Sequence, residues 1–127
     1  MKKVYTLTEW TLSIILGTTF LIAASGKFSF EGNMYENFIR WGYNGALLIV
    51  VGIMEGLGGI FLFIPRARSY GAYLLIVAMI GASVTHIVQI EELGWPVFPI
   101  SLILALCAIL YIRQKLLAKV SVNQQSN

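Results

Sequence analysis

The chain has 127 residues, of which 57% are hydrophobic and 12% charged, with a mean hydropathy of +0.77. Soluble domains carry about 25% charged residues, so this composition excludes an ordinary soluble domain and points to a single integral membrane domain over residues 1–127. The net charge of +3 would suggest nucleic acid in a soluble protein; here the cations flank apolar spans, and no nucleic-acid partner is expected.

A helix needs about 20 apolar residues to cross a bilayer core. The first stretch that qualifies is Trp10–Phe28. It lacks a small-residue cleavage site of the A-x-A type and other spans follow, so it reads as a retained helix. Ser13, Gly17, Ala24 and Lys27 align along it, with Thr18 and Thr19 near mid-depth. The loop that follows contains "NMYENFIRWGY". Met34, Phe38 and Trp41 recur at helical spacing, opposite Asn33, Glu36, Asn37 and Arg40. This predicts a short interfacial helix at the bundle mouth, either a connector or a lid over a cavity.

The second span is Gly45–Ile64, closed by Pro65. Glu55 stands at its centre. An acid there costs about 2.5–3.5 kcal/mol to insert. The twelve Leu, Ile, Val and Phe residues of the span return about 0.3–0.6 kcal/mol each at central positions. Insertion therefore survives, but Glu55 must face something other than lipid. Gly52, Glu55, Gly56 and Gly59 share one helical face. Gly52-x-x-x-Gly56 is a small-x-x-x-small pattern that lets helices approach closely. The third span, Tyr70–Ile90, offers a matching stripe of Gly71, Ala78, Ala82 and Thr85, with His86 one turn above Ala82. The fourth, Pro96–Ile112, begins with Pro96 and Pro99 in its first turn, where proline is tolerated. The polar tail "SVNQQSN" is expected to fray.

The fold expected is all-α, a four-transmembrane-helix bundle with the short interfacial helix in the first outer loop. Lys2, Lys3, Arg66, Arg68, Arg113, Lys115 and Lys119 fall on one side of it, and only Lys27 and Arg40 on the other. This bias predicts both termini in the cytoplasm of a multi-pass inner-membrane protein. The outer side then carries Glu31, Glu36, Glu91 and Glu92.

These placements predict an outward-opening pocket lined by Glu55, His86 and Lys27, with Thr18, Thr19, Ser83 and Thr85 as minor donors. Desolvation disfavours a carboxylate's charge, so Glu55 is expected to hydrogen-bond or exchange a proton, or simply to tie two helices together. Level boundaries put Glu55 and His86 ~9 Å apart in depth, a gap for a water or a ligand head group. Lys27, near the outer edge, is expected to snorkel. Small-residue packing is expected at Gly52, Gly56, Gly59, Gly17, Gly71, Ala78 and Ala82.

Other chemistries lack their residues. One histidine, His86, cannot supply bis-histidine haem ligation, and one histidine with one cysteine, Cys107, argues against a metal site. A single cysteine forms no intrachain dithiol. The glycines around Glu55 follow no strand and precede no Gly-Lys-Ser/Thr, so they are no phosphate loop. Ser83, His86 and Glu55 make only a weak triad.

"FLIAASGKF", "VGIMEGLGGIFLFIPRAR" and "GAYLLIVAMIGASVTHI" together resemble the DoxX-like family of small four-helix membrane proteins, over about Leu12 to Ile112. The resemblance implies a four-helix bundle with Lys27, Glu55 and His86 at its polar positions. One branch of that family is associated with thiosulfate:quinone oxidoreductase and another relative with receptor assembly. Three roles follow as expectations. The first is a non-catalytic membrane component that binds a quinone-like or other lipophilic molecule for a partner redox system, with no covalently bound cofactor and a quinone or lipid as the candidate ligand. The second is an assembly, chaperone or interaction protein that contacts another membrane protein or a further copy of the chain. The third is a proton-coupled small-molecule exporter.

Overall fold

The computed structural model describes residues 2–28 and 33–126; Glu31, and the side chains of Met34 and Lys119, lie outside what it describes. The chain forms α1 (Lys2–Ser25), a 3-10 turn (Gly26–Phe28), α2 (Asn33–Arg40), α3 (Gly45–Leu62), α4 (Arg68–Val88), α5 (Ile90–Leu93) and α6 (Val97–Ser126). No strand occurs among the described residues. Four of the helices are long and apolar enough to cross a membrane: α1, α3, α4, and α6 over Val97–Ala118. α2 is the short helix that the first loop predicts.

Two ends differ from expectation. α1 begins at Lys2 rather than Trp10, so its first turns project beyond the apolar stretch. α6 continues to Ser126, where a frayed tail is expected. No glycine or proline interrupts residues 113–126, and Lys, Leu, Ala and Gln propagate a helix at little cost. The other limits follow local chemistry. Asn44 caps α3 by accepting from the Leu47 N–H at 2.8 Å. Pro65, without an N–H, stands just past its end. The third span stops at Val88, and a separate single turn, α5, follows Gln89. Gly94 links α5 to α6 at φ 76°, ψ −167°, a backbone state that only glycine adopts without strain.

The membrane helices form a ring: α1 packs on α3, α3 on α4, α4 on α6, and α6 on α1. Leu16, Phe20, Leu62, Leu75, Met79, Leu106 and Ile109 fill its centre. Ile15, Ile22, Ile53, Ile60, Ile80 and Leu104 point outward, as a bilayer-facing surface requires.

α3 sits between α1 and α4, and it meets each through a different glycine. A Cβ on Gly59 would lie 3.2 Å from the Gly17 carbonyl of α1. A Cβ on Gly71 of α4 would lie 2.7 Å from the Gly58 carbonyl and 2.7 Å from Phe61 Cβ. Gly58, absent from the packing face read from sequence, is thus a contact residue. Successive helical residues point about 100° apart, so Gly58 and Gly59 serve two neighbours at once. Gly56 is a correction in the other direction: a Cβ there would meet only Ala24 Cβ, at an ordinary 3.7 Å. Gly71→Ala is therefore expected to destabilise by about 1–3 kcal/mol through overpacking against backbone. Gly56→Ala is expected to be neutral or to gain up to about 1 kcal/mol from helix propensity. Unfolding in mixed micelles with rising dodecyl sulfate, followed by circular dichroism, separates the two.

Candidate functional site

The 3-10 turn at the end of α1 decides the site. It carries Lys27, the last member of the buried stripe, over the bundle interior, where its Nζ lies 2.9 Å from Glu55 Oε2 and 3.4 Å from the Ala23 carbonyl. Lys27 is 9% exposed and Glu55 3%. The lysine therefore does not snorkel to the outer edge as the sequence suggests. It turns inward to a carboxylate that is itself almost fully buried, so that each charge supplies the other's counter-ion.

The pair forms part of the wall of a cavity of about 520 Å³ in the half of the bundle opposite the chain termini. α1 contributes Thr19, Phe20 and Ala23; α3 contributes Leu47, Val51 and Met54. α4 supplies Ala78, Ala82, Thr85 and His86, and α6 supplies Phe98 and Leu102. Phe38 and Trp41, from α2 and its end, and the adjoining Tyr43 form the remaining wall, so α2 roofs the space. Phe38 packs against both other rings, with centroids 6.0 Å from Trp41 and 5.3 Å from Tyr43. Leu47, Val77 and Phe98, at 40%, 58% and 65% exposure, place part of the rim on the lipid-facing surface.

Five of the seven pocket residues predicted from sequence line this cavity: Glu55, His86, Lys27, Thr19 and Thr85. Thr18 and Ser83 do not. Thr18 points outward, and Ser83 donates to the Met79 carbonyl at 2.9 Å, one turn back on its own helix. Ala78 and Ala82, expected only to pack helices, also border the cavity. Thr19 donates to the Ile15 carbonyl at 2.8 Å, and the Thr85 and Tyr43 hydroxyls share a hydrogen bond at 2.9 Å. His86 stands apart: its Nδ1 is buried without a hydrogen-bond partner. The cavity thus presents an ion pair from α1 and α3 and an unengaged imidazole nitrogen from α4, between apolar walls.

The roof is tied down. Trp41 Nε1 donates to Glu92 Oε2 at 2.9 Å, and the Arg40 guanidinium pairs with the other carboxylate oxygen. The hydrogen bond from Trp41, and then that from Arg40, hold the Glu92 carboxyl below its ordinary value of 4.5. A lowered value means that the folded contact favours the anion. The latch is therefore at full strength above pH 4.5 and is lost as pH falls through the lowered value. Protection of amides 33–40, taken relative to their intrinsic exchange rates at each pH, is expected to fall on acidification below that point, and Glu92→Gln to abolish that fall.

A second buried charge cluster lies at the end that carries the termini. Glu9, 2% exposed, pairs through Oε1 with both Arg68, which is fully buried, and Arg113. Arg68 Nε donates to the Leu62 carbonyl at 2.7 Å, and its guanidinium carbon sits 4.4 Å from the Trp10 ring centroid. Arg113 Nη1 reaches Glu9 Oε1 at 3.0 Å and the Pro65 carbonyl at 3.2 Å. Charge counting places Arg68 and Arg113 among the flanking cations and overlooks Glu9. The signal was present: Glu9 lies one turn before Ser13 on the stripe that continues through Gly17 and Ala24 to Lys27.

Among the described residues, no group of histidine, cysteine and carboxylate side chains is arranged to hold a metal ion. No curated protein and no solved structure matches the chain. Residues 11–110 match the model of the DoxX-like family.

Proposed function

The chain belongs to the DoxX-like family, and from that premise we propose that it binds a lipophilic, quinone-like molecule in the roofed cavity as the membrane component of a partner redox system. One observation carries the reading: an apolar cavity of about 520 Å³ whose wall holds the Lys27–Glu55 pair and the unpartnered His86 Nδ1. The volume falls within the roughly 300–1,000 Å³ of small-molecule sites. A quinone head group would accept hydrogen bonds from Lys27 or His86 through its carbonyls, while Phe38, Trp41 and the aliphatic walls take the ring and tail. The lipid-facing rim gives such a molecule a lateral way in. The chain has one cysteine and one histidine, so electrons would pass to or from the ligand at a partner. The cation bias supports an orientation with both termini in the cytoplasm and the roof on the outer side of a bacterial-type inner membrane. The exporter reading is weaker, because Glu55 already has a cation against it and a proton cycle would have to break that pair.

The test uses the purified chain in mild detergent. Solvent extraction and mass spectrometry are expected to recover a quinone near one per chain. A short-tailed quinone added to the delipidated protein is expected to quench Trp41 saturably, with no saturable component in Trp41→Phe. His86→Leu should weaken the interaction by about tenfold, the value of one hydrogen bond. An extract without quinone, together with linear quenching alone, would reject the reading; a co-purifying membrane protein in its place would favour the assembly role.

A further inference from the structure

A separate groove of about 530 Å³ runs between α4 and α6 at the end that carries the chain termini. Its charged and amide groups gather toward that end, with Leu117 beside them, and its deeper lining is apolar. Ser69, Arg113 and Gln114 lie at the terminal side, Tyr73 beside them, and Leu110 and Cys107 deeper along α6. We propose that this groove holds an anionic phospholipid, its phosphate against Arg113 and an acyl chain along Leu110 and Cys107.

Charge complementarity carries the argument. Two guanidiniums share the single Glu9 carboxylate, so the cluster keeps an uncompensated positive charge. Arg113 is the member that reaches the groove. Glu9 and Pro65 engage its Nη1, Nε is buried, and the side chain stays 19% exposed through the rest of the guanidinium. A guanidinium has five N–H donors, so donors remain for a phosphate oxygen. Lys115, 5.5 Å from the ring centroid of Tyr111 at the groove wall, adds a second cation. A phospholipid has the same gradient, an anion at the interface and hydrocarbon below it, and basic pockets between membrane helices recognise such head groups.

The test offers the delipidated full chain an equimolar mixture of phosphatidylglycerol and phosphatidylcholine with identical acyl chains, and native mass spectrometry reads the bound lipid. The wild type is expected to retain phosphatidylglycerol about fivefold or more over phosphatidylcholine, the preference that one interfacial cation confers. Arg113→Gln should bring the ratio near parity. Gln114→Glu, at an exposed groove position, should do the same without removing a group from the Glu9 cluster, and it decides the matter if Arg113→Gln fails to fold. Arg66→Gln, an exposed cation outside the groove, should leave the ratio unchanged. Parity in the wild type would overturn the proposal. So would an equal loss in Arg66→Gln, which marks only a diffusely basic end, or displacement of the lipid by inorganic phosphate, which marks an anion site without a role for the groove.

Discussion

Lys27→Met is expected to destabilise the protein by about 3–5 kcal/mol, because it strands a buried carboxylate without its counter-charge. Glu55, 3% exposed, has no other cation partner among the described residues. Glu55→Leu should cost a similar amount by stranding Lys27. The double variant Lys27→Met/Glu55→Leu should recover most of the loss, since neutral side chains of like size leave no buried charge. Unfolding of all four forms in mixed micelles gives the coupling directly. Singles that lie within about 0.5 kcal/mol of the wild type, as ordinary surface substitutions do, would show that the pair is not buried together in the bilayer. The double variant also separates fold from site: it should fold, yet bind a quinone more weakly than the wild type, because its cavity has lost the ammonium.

The second large effect is expected at the other end. Glu9→Gln leaves the fully buried Arg68 and the partly buried Arg113 without an anion, at a cost of about 3–5 kcal/mol. Arg68→Lys should not rescue the arrangement. A lysine keeps the charge but lacks the planar group that bonds the Leu62 carbonyl and stacks on Trp10. Arg66→Gln, on the exposed turn between α3 and α4, should stay within about 0.5 kcal/mol. The contrast between Arg66 and Arg68, two residues apart, measures burial rather than charge. Equal, small effects at Glu9 and Arg66 would reduce the cluster to a solvated group of interfacial cations.

Much of the membrane architecture was legible in the residues. Each span announced itself as an apolar run of sufficient length, and "NMYENFIR" showed the two-faced pattern of α2. Glu55 was legible as an oddity, since an acid among twelve large apolar residues must be sheltered. Lys27 was legible as a pocket residue but not in its direction: snorkelling assumes that water is the best partner within reach, and Glu55 lies 2.9 Å from its ammonium. Glu9 escaped notice because it lies among cations at a span end, where an acid looks ordinary. Gly56 and Gly58 exchanged roles because one helical face was assigned to α3, and the ring gives α3 two neighbours.

The order of residues alone determined that the chain is a multi-pass membrane protein with four helices long and apolar enough to cross. Those properties depend on local hydropathy and length, which any short window of sequence contains. Only the tertiary structure decided that Lys27 meets Glu55, that Glu9 holds two arginines, and that Trp41 and Glu92 close a roof over His86. Partners 28, 59 and 51 positions apart in the chain meet because of the helices' order around the ring and their axial offsets. Helical periodicity fixes which way a side chain points on its own helix, but not which neighbour stands there.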